Sequence, residues 1–465
     1  MYLLYSFALA LLFILLLPRF IYQARKHGKY AASFKQRMGR LPDSLASDQR
    51  ETIWVHAVSV GEFQAARPLI ERLRSEMPEA RIVVSTITLT GQRLARSHCP
   101  SLIDGVFYFP FDWRFAAKRA LMHIRPSLVV ILETELWPNF LRECRQLGAL
   151  TVMANGRISD RSFSRYKRVR PFIGRALRDV SLLLMQSEAD AGRARSLGAL
   201  EISVRVCGNL KYEAGIGLGV GKNSSSTRAN HPSAISDLDA FSSSTQVIVA
   251  GSTAPGEEQI LLDALREVRT HTGLEDTRLV IAPRHPERFE EVADLIARSG
   301  FKFARRSQGS TAHATSTGES SGSLTTGDAS APGAADIVLL DSIGELSAVY
   351  SLAAVVFVGG SLVPRGGHNV IEPAAYAKAI IVGPHTENFK QIVDDFVNAD
   401  AIVQLSAGGE APISRLAIEL ARLLSDREAA ARLGARAAEL IASRRGAVDC
   451  TVAAIKEIFS PRQQS

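Results

Sequence analysis

The sequence predicts an α/β protein of two doubly wound, Rossmann-like domains facing a central crevice, behind an N-terminal membrane anchor helix. Three observations carry this. From residue 50 onward, short apolar runs alternate with helical stretches, the pattern of a parallel sheet flanked by helices. A polar, Ser/Gly-rich interval at 214–245 interrupts the alternation, which then restarts. Residues 2–17, YLLYSFALALLFILLL, hold no charge.

The N-terminal run comes first. Arg19, Arg25, Lys26, Lys29, Lys35, Arg37 and Arg40 follow it, and the first acid is Asp43. A signal peptide places its positive charge before the apolar run and ends in small residues. Here the order is reversed. Phe20, Ile21 and Tyr22 extend the run towards the roughly 20 residues that span a bilayer. The basic side marks the cytoplasmic face. The expectation is an uncleaved anchor over 1–22 and a basic juxtamembrane segment over 23–49, with the body in the cytoplasm at the inner membrane. The alternative is a helix lying in the interface, held on anionic lipid by the same cations.

In the body, the first set of apolar runs is 53–58, 81–86, 105–109, 128–132, 150–154, 181–186 and 203–207. The second set is 246–250, 278–282, 336–341, 354–358, 379–383 and 401–405. These give domains over 50–213 and 246–465, joined by a linker at 214–245. Ligands bind such sheets at the carboxyl ends of the strands. The stretch 307–335, rich in Ser, Thr and Gly, is expected to be a disordered surface insertion. Residues 426–459, rich in Ala, Arg and Leu, read as helical.

At 465 residues, two or three domains are expected, and an apolar content of 46% allows sizeable cores. The net charge of +8 calls for an anionic partner: nucleic acid, a membrane surface or a phosphorylated substrate. Cys99, Cys144, Cys207 and Cys450 are scattered without a C-x-x-C pair, which argues against zinc and suits a reducing compartment.

Chemistry-bearing residues gather at the predicted strand ends. After the run 53–58, Gly61 precedes Glu62 at a helix start, where the helix dipole would keep a carboxylate ionised and fit to act as general base. The same residue can equally serve only as a helix cap. The run 128–132 ends in Glu133 and Glu135. CGNLKYE places Lys211 where the first half closes, suited to a leaving phosphate or simply solvated. In the second half, Pro283, Arg284 and His285 come off a strand end, where anion contacts are expected, while Arg288 reads as a solvated charge. Ile343, Gly344 and Glu345 form a turn whose N–H groups can read a base edge. The Gly359-Gly360 and Gly366-Gly367 pairs let backbone approach a phosphate, and a helix opens near Asn369. Glu372, one turn on, suits a ribose diol. Asp237-Leu238-Asp239 is the only D-x-D near this region and falls in the linker, so no metal and no other cofactor is expected.

As a set, HAVSVGE (56–62), ETELWPN (133–139), ANGRIS (154–159), GNLK (208–211), APRHPERF (282–289), IGEL (343–346), GGSLVPRGGHNVIEPAA (359–375) and GPHTENF (383–389) resemble the bacterial 3-deoxy-D-manno-octulosonic acid (Kdo) transferase family, in family order over nearly the whole chain. The departures are the polar stretches 214–245 and 307–335. The resemblance implies the GT-B glycosyltransferase fold, with CMP-Kdo as donor and a lipid A precursor (lipid IVA) as acceptor. It implies an acceptor-binding domain at 50–213 and a CMP-Kdo-binding domain at 246–465. It further implies Glu62 as catalytic base, Glu133 and Lys211 as transition-state stabilisers, and Pro283, Arg284, His285, Ile343, Gly344, Glu345, Asn369, Val370, Ile371 and Glu372 as CMP contacts. Inner-leaflet lipid, rather than nucleic acid, is then the macroscopic partner. Two rivals share the features: a nucleotide-sugar epimerase or hydrolase of the same build, and a membrane-tethered, non-catalytic nucleotide-binding protein.

Overall fold

Strands buried on both faces must lie in parallel sheets covered by helices, because only βαβ crossovers screen both sides of a sheet. The computed structural model describes residues 2–27, 31–214, 246–309, 335–408 and 411–459, with the side chains of residues 12, 16–32, 214, 308 and 309 outside that description. The described chain divides into two units, one running to Ala214 and resuming at Arg444, the other lying between.

The first unit holds β1 (Thr52–His56), β2 (Arg81–Thr86), β3 (Gly105–Tyr108), β4 (Leu128–Leu132), β5 (Leu150–Gly156), β6 (Leu182–Met185) and β7 (Val204–Val206). All run parallel in the order β3-β2-β1-β4-β5-β6-β7. The order reverses between β1 and β4, where Ile53 registers with Leu128 and His56 with Ile131. Such a switch point opens a ligand crevice outside the strand ends. On one face, Phe63, Ala66, Leu69, Ile70 and Leu73 of the helix Val60–Glu76 bury against Ile53, Val55 and Val130. On the other face Trp54 packs edge-on to Phe107 and Phe140.

The C-terminal helix, Ala447–Phe459, belongs to this first unit. Its Val448, Val452, Ile455 and Phe459 join the core around Ile53 and Ile70. The expected boundaries, with everything after 246 in one domain, are corrected accordingly. A helical apolar stripe states that it needs a cover but not which one. Cys450 on this helix forms a disulfide with Cys207, with a Cα–Cα distance of 5.4 Å. The expectation of four reduced cysteines therefore holds only for Cys99 and Cys144.

The second unit holds β8 (Val247–Thr253), β9 (Arg278–Pro283), β10 (Phe303–Arg305), β11 (Ile337–Leu339), β12 (Val355–Val358), β13 (Ala379–Val382) and β14 (Val403–Gln404), parallel in the order β10-β11-β9-β8-β12-β13-β14. Its switch point lies between β8 and β12. Strand β10 has only three residues, too few to read as an apolar run in the sequence. The predicted linker lies almost wholly outside the described residues. So does most of the predicted insertion, 310–334; of its remaining residues, Arg306–Gly309 is helical and Ala335 is buried.

The N-terminal apolar run forms one helix, Tyr2–His27. One face lies against the first unit. The Tyr2 hydroxyl donates to Asp179, the Tyr5 hydroxyl to Asp112 at 2.9 Å, and the Phe13 ring meets Trp113 with centroids 4.8 Å apart. Leu3, Leu4, Phe7, Leu11, Ile14 and Leu15 point outward and are exposed. Among the described residues, no helix is long and apolar enough to cross a membrane.

Candidate active site

The first unit gathers its chemistry around the β1/β4 switch point. After β1 the chain turns into the helix Val60–Glu76, whose N-cap is Ser59. Glu62 reaches back: its Oε2 accepts from the Val58 N–H at 2.8 Å and its Oε1 from the Ser59 hydroxyl at 3.1 Å. These bonds cap the helix start in a variant of the capping box, shifted by one residue to the Val58 N–H, so the capping role is real. Burial, with a smaller contribution from the negative Glu133 and Glu135, nevertheless pushes the Glu62 carboxyl up to about 7 against the hydrogen bonds from Val58 and Ser59. The expectation of a fully ionised carboxylate is corrected: desolvation outweighs the helix dipole here. A group titrating near neutrality is better matched to proton transfer than a fully ionised one.

Glu133 ends β4 in the left-handed region, φ +58°, which is sparsely populated by residues with a side chain. Its Oε1 lies 2.8 Å from Lys211 Nζ, and both side chains are partly exposed. The Lys211 loop is held on several sides. Asn155, itself at φ +57°, accepts from the Leu210 N–H at 3.0 Å. Asn209 accepts from the Lys211 N–H at 3.0 Å. Glu213 accepts from Gly446 and Val448, which, with the Cys207–Cys450 bridge, ties the loop to the C-terminal helix. Glu133 and Lys211, chosen from distant stretches of sequence, thus pair, and Glu62 lies near enough to feel the Glu133 charge. Glu135 joins them: burial, then Glu133, raises its carboxyl above the usual range.

The second unit brings another group together. Arg284 and His285 leave the end of β9 exposed, and the Arg284 N–H is fixed to the Thr253 carbonyl at 3.0 Å. Asn369 Nδ2 donates to Glu372 Oε1 at 3.2 Å, while Asn369 Oδ1 accepts from the Ile371 N–H at 3.0 Å and opens the short helix Ile371–Ala375, two residues later than expected. Burial raises the Glu372 carboxyl, and the Arg284 charge acts against that rise. His368, absent from the sequence-based candidates, is lowered to about 4 by burial and by the Arg284 and His285 charges, so it is neutral at pH 7. Val370 and Ile371 are buried in the core, leaving only their backbone for a ligand, and Pro283 is buried at the strand end. Ile343 is exposed and Gly344 sits at φ +92°, but Glu345 is held by Arg306 at 3.2 Å and by the Ser342 hydroxyl.

The glycine turn differs from expectation. Glu257 occupies it: its carboxylate accepts from the N–H groups of Ala254, Gly360, Ser361 and Leu362 at 2.7–2.9 Å. The Gly360 amide therefore serves an internal anion, not a phosphate. Gly360, at φ +70°, also leaves room for the His368 ring, which a Cβ would meet at 2.8 Å. Arg288 is likewise corrected. It is largely buried and pairs in a two-pronged way with Glu258, at 2.7 and 3.1 Å, and with Glu291. Its sequence signal was an acid at the start of the helix after β8, which the single stretch APRHPERF does not contain.

The chain thus holds two doubly wound units, with a carboxylate–lysine pair in one and a basic cluster beside a buried carboxylate in the other. Residues 32–214 match the family model of 3-deoxy-D-manno-octulosonic-acid transferase (kdotransferase). The 3-deoxy-D-manno-octulosonic acid transferase of Haemophilus influenzae is 31% identical over 398 residues, covering 85% of this chain and 84% of its own. That of Bordetella pertussis is 29% identical over 441 residues, 93% of each chain. The chain belongs to the 3-deoxy-D-manno-octulosonic acid transferase family and is a glycosyltransferase. The crystal structure of UDP-GlcNAc 2-epimerase from Neisseria meningitidis bound to UDP-GlcNAc superposes with a TM-score of 0.57, at 12% identity over 88% of this chain and 100% of that one. That likeness shows a shared GT-B-like fold alone.

Proposed function

We propose that the enzyme transfers Kdo from CMP-Kdo to the glucosamine disaccharide of a lipid A precursor, lipid IVA, in lipopolysaccharide biosynthesis. Glu62 takes the proton of the acceptor hydroxyl. The freed oxygen attacks the anomeric carbon of Kdo as that carbon's bond to the phosphate oxygen breaks, and CMP departs. Lys211, oriented by Glu133, neutralises charge developing in the transition state, and Arg284 takes the phosphate of CMP. Glu372, aligned by Asn369, receives the ribose hydroxyls, and the Ile343–Gly344 turn offers backbone to the cytosine. The observation that carries this reading is the Glu133–Lys211 pair at the β1/β4 switch point, with Glu62 near it and poised near neutrality.

We take the reaction to be metal-independent, the cationic work falling to Lys211 and Arg284. The N-terminal helix then holds the enzyme at the inner face of the inner membrane. Its exposed Leu3, Leu4, Phe7, Leu11, Ile14 and Leu15 opposite a protein-bound face favour a helix lying in the interface over one that spans.

Incubation with CMP-Kdo and the precursor in excess EDTA, followed by mass spectrometry of the lipid, tests the assignment. Addition of Kdo is the expected result. Donor breakdown without lipid product would favour the hydrolase or epimerase alternative, and binding of CMP alone the non-catalytic one.

A further inference from the structure

Two residues at neighbouring strand ends of the first unit share the left-handed backbone conformation: Glu133 after β4 at φ +58°, and Asn155 in β5 at φ +57°. Residues with side chains seldom adopt it, and such positions concentrate at functional sites. Asparagine is one of the few that visit it readily. The pairing of β5 with β6 shows how Asn155 comes to be there. Met153 registers with Leu183 and Gly156 with Met185, so β5 carries one extra residue between them. Such a bulge re-aims a side chain, and bulges are frequent beside active sites.

This bulge holds both halves of the Glu133–Lys211 pair. The Ala154 carbonyl accepts from the Glu133 N–H at 2.9 Å. One residue on, Asn155 Oδ1 accepts from the N–H of Leu210, the residue before Lys211, at 3.0 Å. The bulge is itself braced. Gln186 Nε2 donates to the Asn155 carbonyl at 3.0 Å, and the Gln186 N–H to the Gly156 carbonyl at 2.9 Å. Thr134, next to Glu133, accepts from the Arg157 N–H at 2.8 Å and donates to the Arg157 carbonyl. Leu210 is fully buried, and the turn Lys211–Ala214 packs on the helix Val60–Glu76, whose first turn carries Glu62.

The Lys211 side chain is held far less firmly. It is 27% exposed and its partner Glu133 30%, and a pair so open to water does not fix its own geometry. Its placement has to come from the backbone on either side. Asn155 also carries a cost. Its Nδ2 is shielded from solvent and has no acceptor among the described residues, an unfavourable state for a buried donor. Packing alone gains nothing from an amide there, whereas the Oδ1 bond to Leu210 requires its oxygen.

We propose that Asn155 is a positioning residue for the transfer reaction: through the Leu210 amide it sets the Lys211 ammonium against Glu133. At 1% exposure it touches no substrate itself. The assignment rests on the reading of Lys211 as the cation of the transferase reaction.

A double-substitution cycle on the full-length, detergent-dispersed protein tests it. Asn155→Gly keeps the left-handed backbone and removes the acceptor. It lowers kcat for Kdo transfer by roughly 10–100-fold, the scale of a misplaced catalytic group, and leaves KM for donor and acceptor unchanged. In the Lys211→Ala background the same substitution has no further effect, because no ammonium is left to place. Asn155→Asp, which keeps an acceptor oxygen at the same reach, restores most of the lost kcat. Unchanged kcat in Asn155→Gly, or equal losses with and without Lys211, would make Asn155 a general support of the fold and overturn the proposal. So would equal losses in the Gly and Asp variants. If Asn155→Gly does not fold, Gln186→Met, which removes the brace at the Asn155 carbonyl, enters the same cycle with the same expected dependence on Lys211.

A readout without activity separates this proposal from the transferase reading. Acetylation of Lys211 by acetic anhydride, followed by mass spectrometry of the peptides, is several-fold faster in Asn155→Gly than in the wild type, while exposed Lys118 reacts equally in both. Equal labelling of Lys211 in the two proteins would overturn the positioning role. Faster labelling in Asn155→Gly beside a wild-type protein that transfers no Kdo would strike the transferase reading and leave the placement of Lys211 by Asn155 standing.

Discussion

The ammonium of Lys211 stands 2.8 Å from the Glu133 carboxylate, joining the loop after β7 to the strained end of β4. Both side chains are partly exposed, so the pair adds little stability, about 0–1 kcal/mol. We take the pair to serve the proposed chemistry instead. Lys211→Ala should lower kcat for Kdo transfer by at least about tenfold, while the melting temperature changes by only a few degrees. Stopped-assay kinetics beside a thermal melt check this. A variant that keeps wild-type kcat would return Lys211 to the solvated surface.

The elevated Glu62 carboxyl has two consequences in pH. The rising limb of kcat/KM should report a group near 7, since the base must be ionised to act. Stability moves the opposite way. Glu62 titrates at about 7 when folded against an ordinary 4.5, so the folded state binds more protons between those values and loses stability as pH rises through them. Glu62→Gln removes that loss. Its advantage in urea denaturation should be nil below pH 4.5, widen up to pH 7 and then level off, at a gain on the order of 3 kcal/mol. A constant offset across pH would contradict the elevated value.

Glu257 holds the Gly359–Leu362 turn through the N–H groups of Gly360, Ser361 and Leu362. Glu257→Ala leaves these buried donors unpaired, each at about 1–3 kcal/mol. The second unit should therefore lose several kcal/mol, read as a lower urea midpoint. An unchanged midpoint would mean that the turn is held by other means.

Arg284→Ala and Glu372→Ala should each weaken CMP binding, by roughly 1.5–3 kcal/mol for a lost bond to a charged group, without altering acceptor KM. Calorimetric titration of CMP decides the matter. Unchanged affinity in both variants would remove the second-unit cluster from the donor site.

Much of the fold and of the candidate site is legible in the amino-acid sequence. Buried runs such as LVVIL announce parallel strands because no polar face is left for water. Glu62, Glu133, Lys211 and Arg284 are visible as polar residues placed shortly past such runs, and Glu372 as an acid at a helix start after a glycine turn. What the sequence does not convey depends on partners far along the chain. Arg288 looks solvated until Glu258 is beside it, and the glycine turn looks vacant until Glu257 fills it. The C-terminal helix shows its apolar stripe but not the core that takes it, and Cys207 and Cys450 are 243 residues apart. Asn155 and His368 stand inside recognisable motifs, yet nothing local marks one as a loop support and the other as a buried neutral ring.

If a carboxylate in the first unit performs the proton transfer while the second unit binds the nucleotide, one substitution should separate the two activities. Parallel measurement of CMP affinity and of Kdo transfer in Glu62→Gln reads both at once. CMP affinity should stay at the wild-type value while transfer falls about 10²–10⁴-fold. Transfer at the wild-type rate would contradict this division of labour.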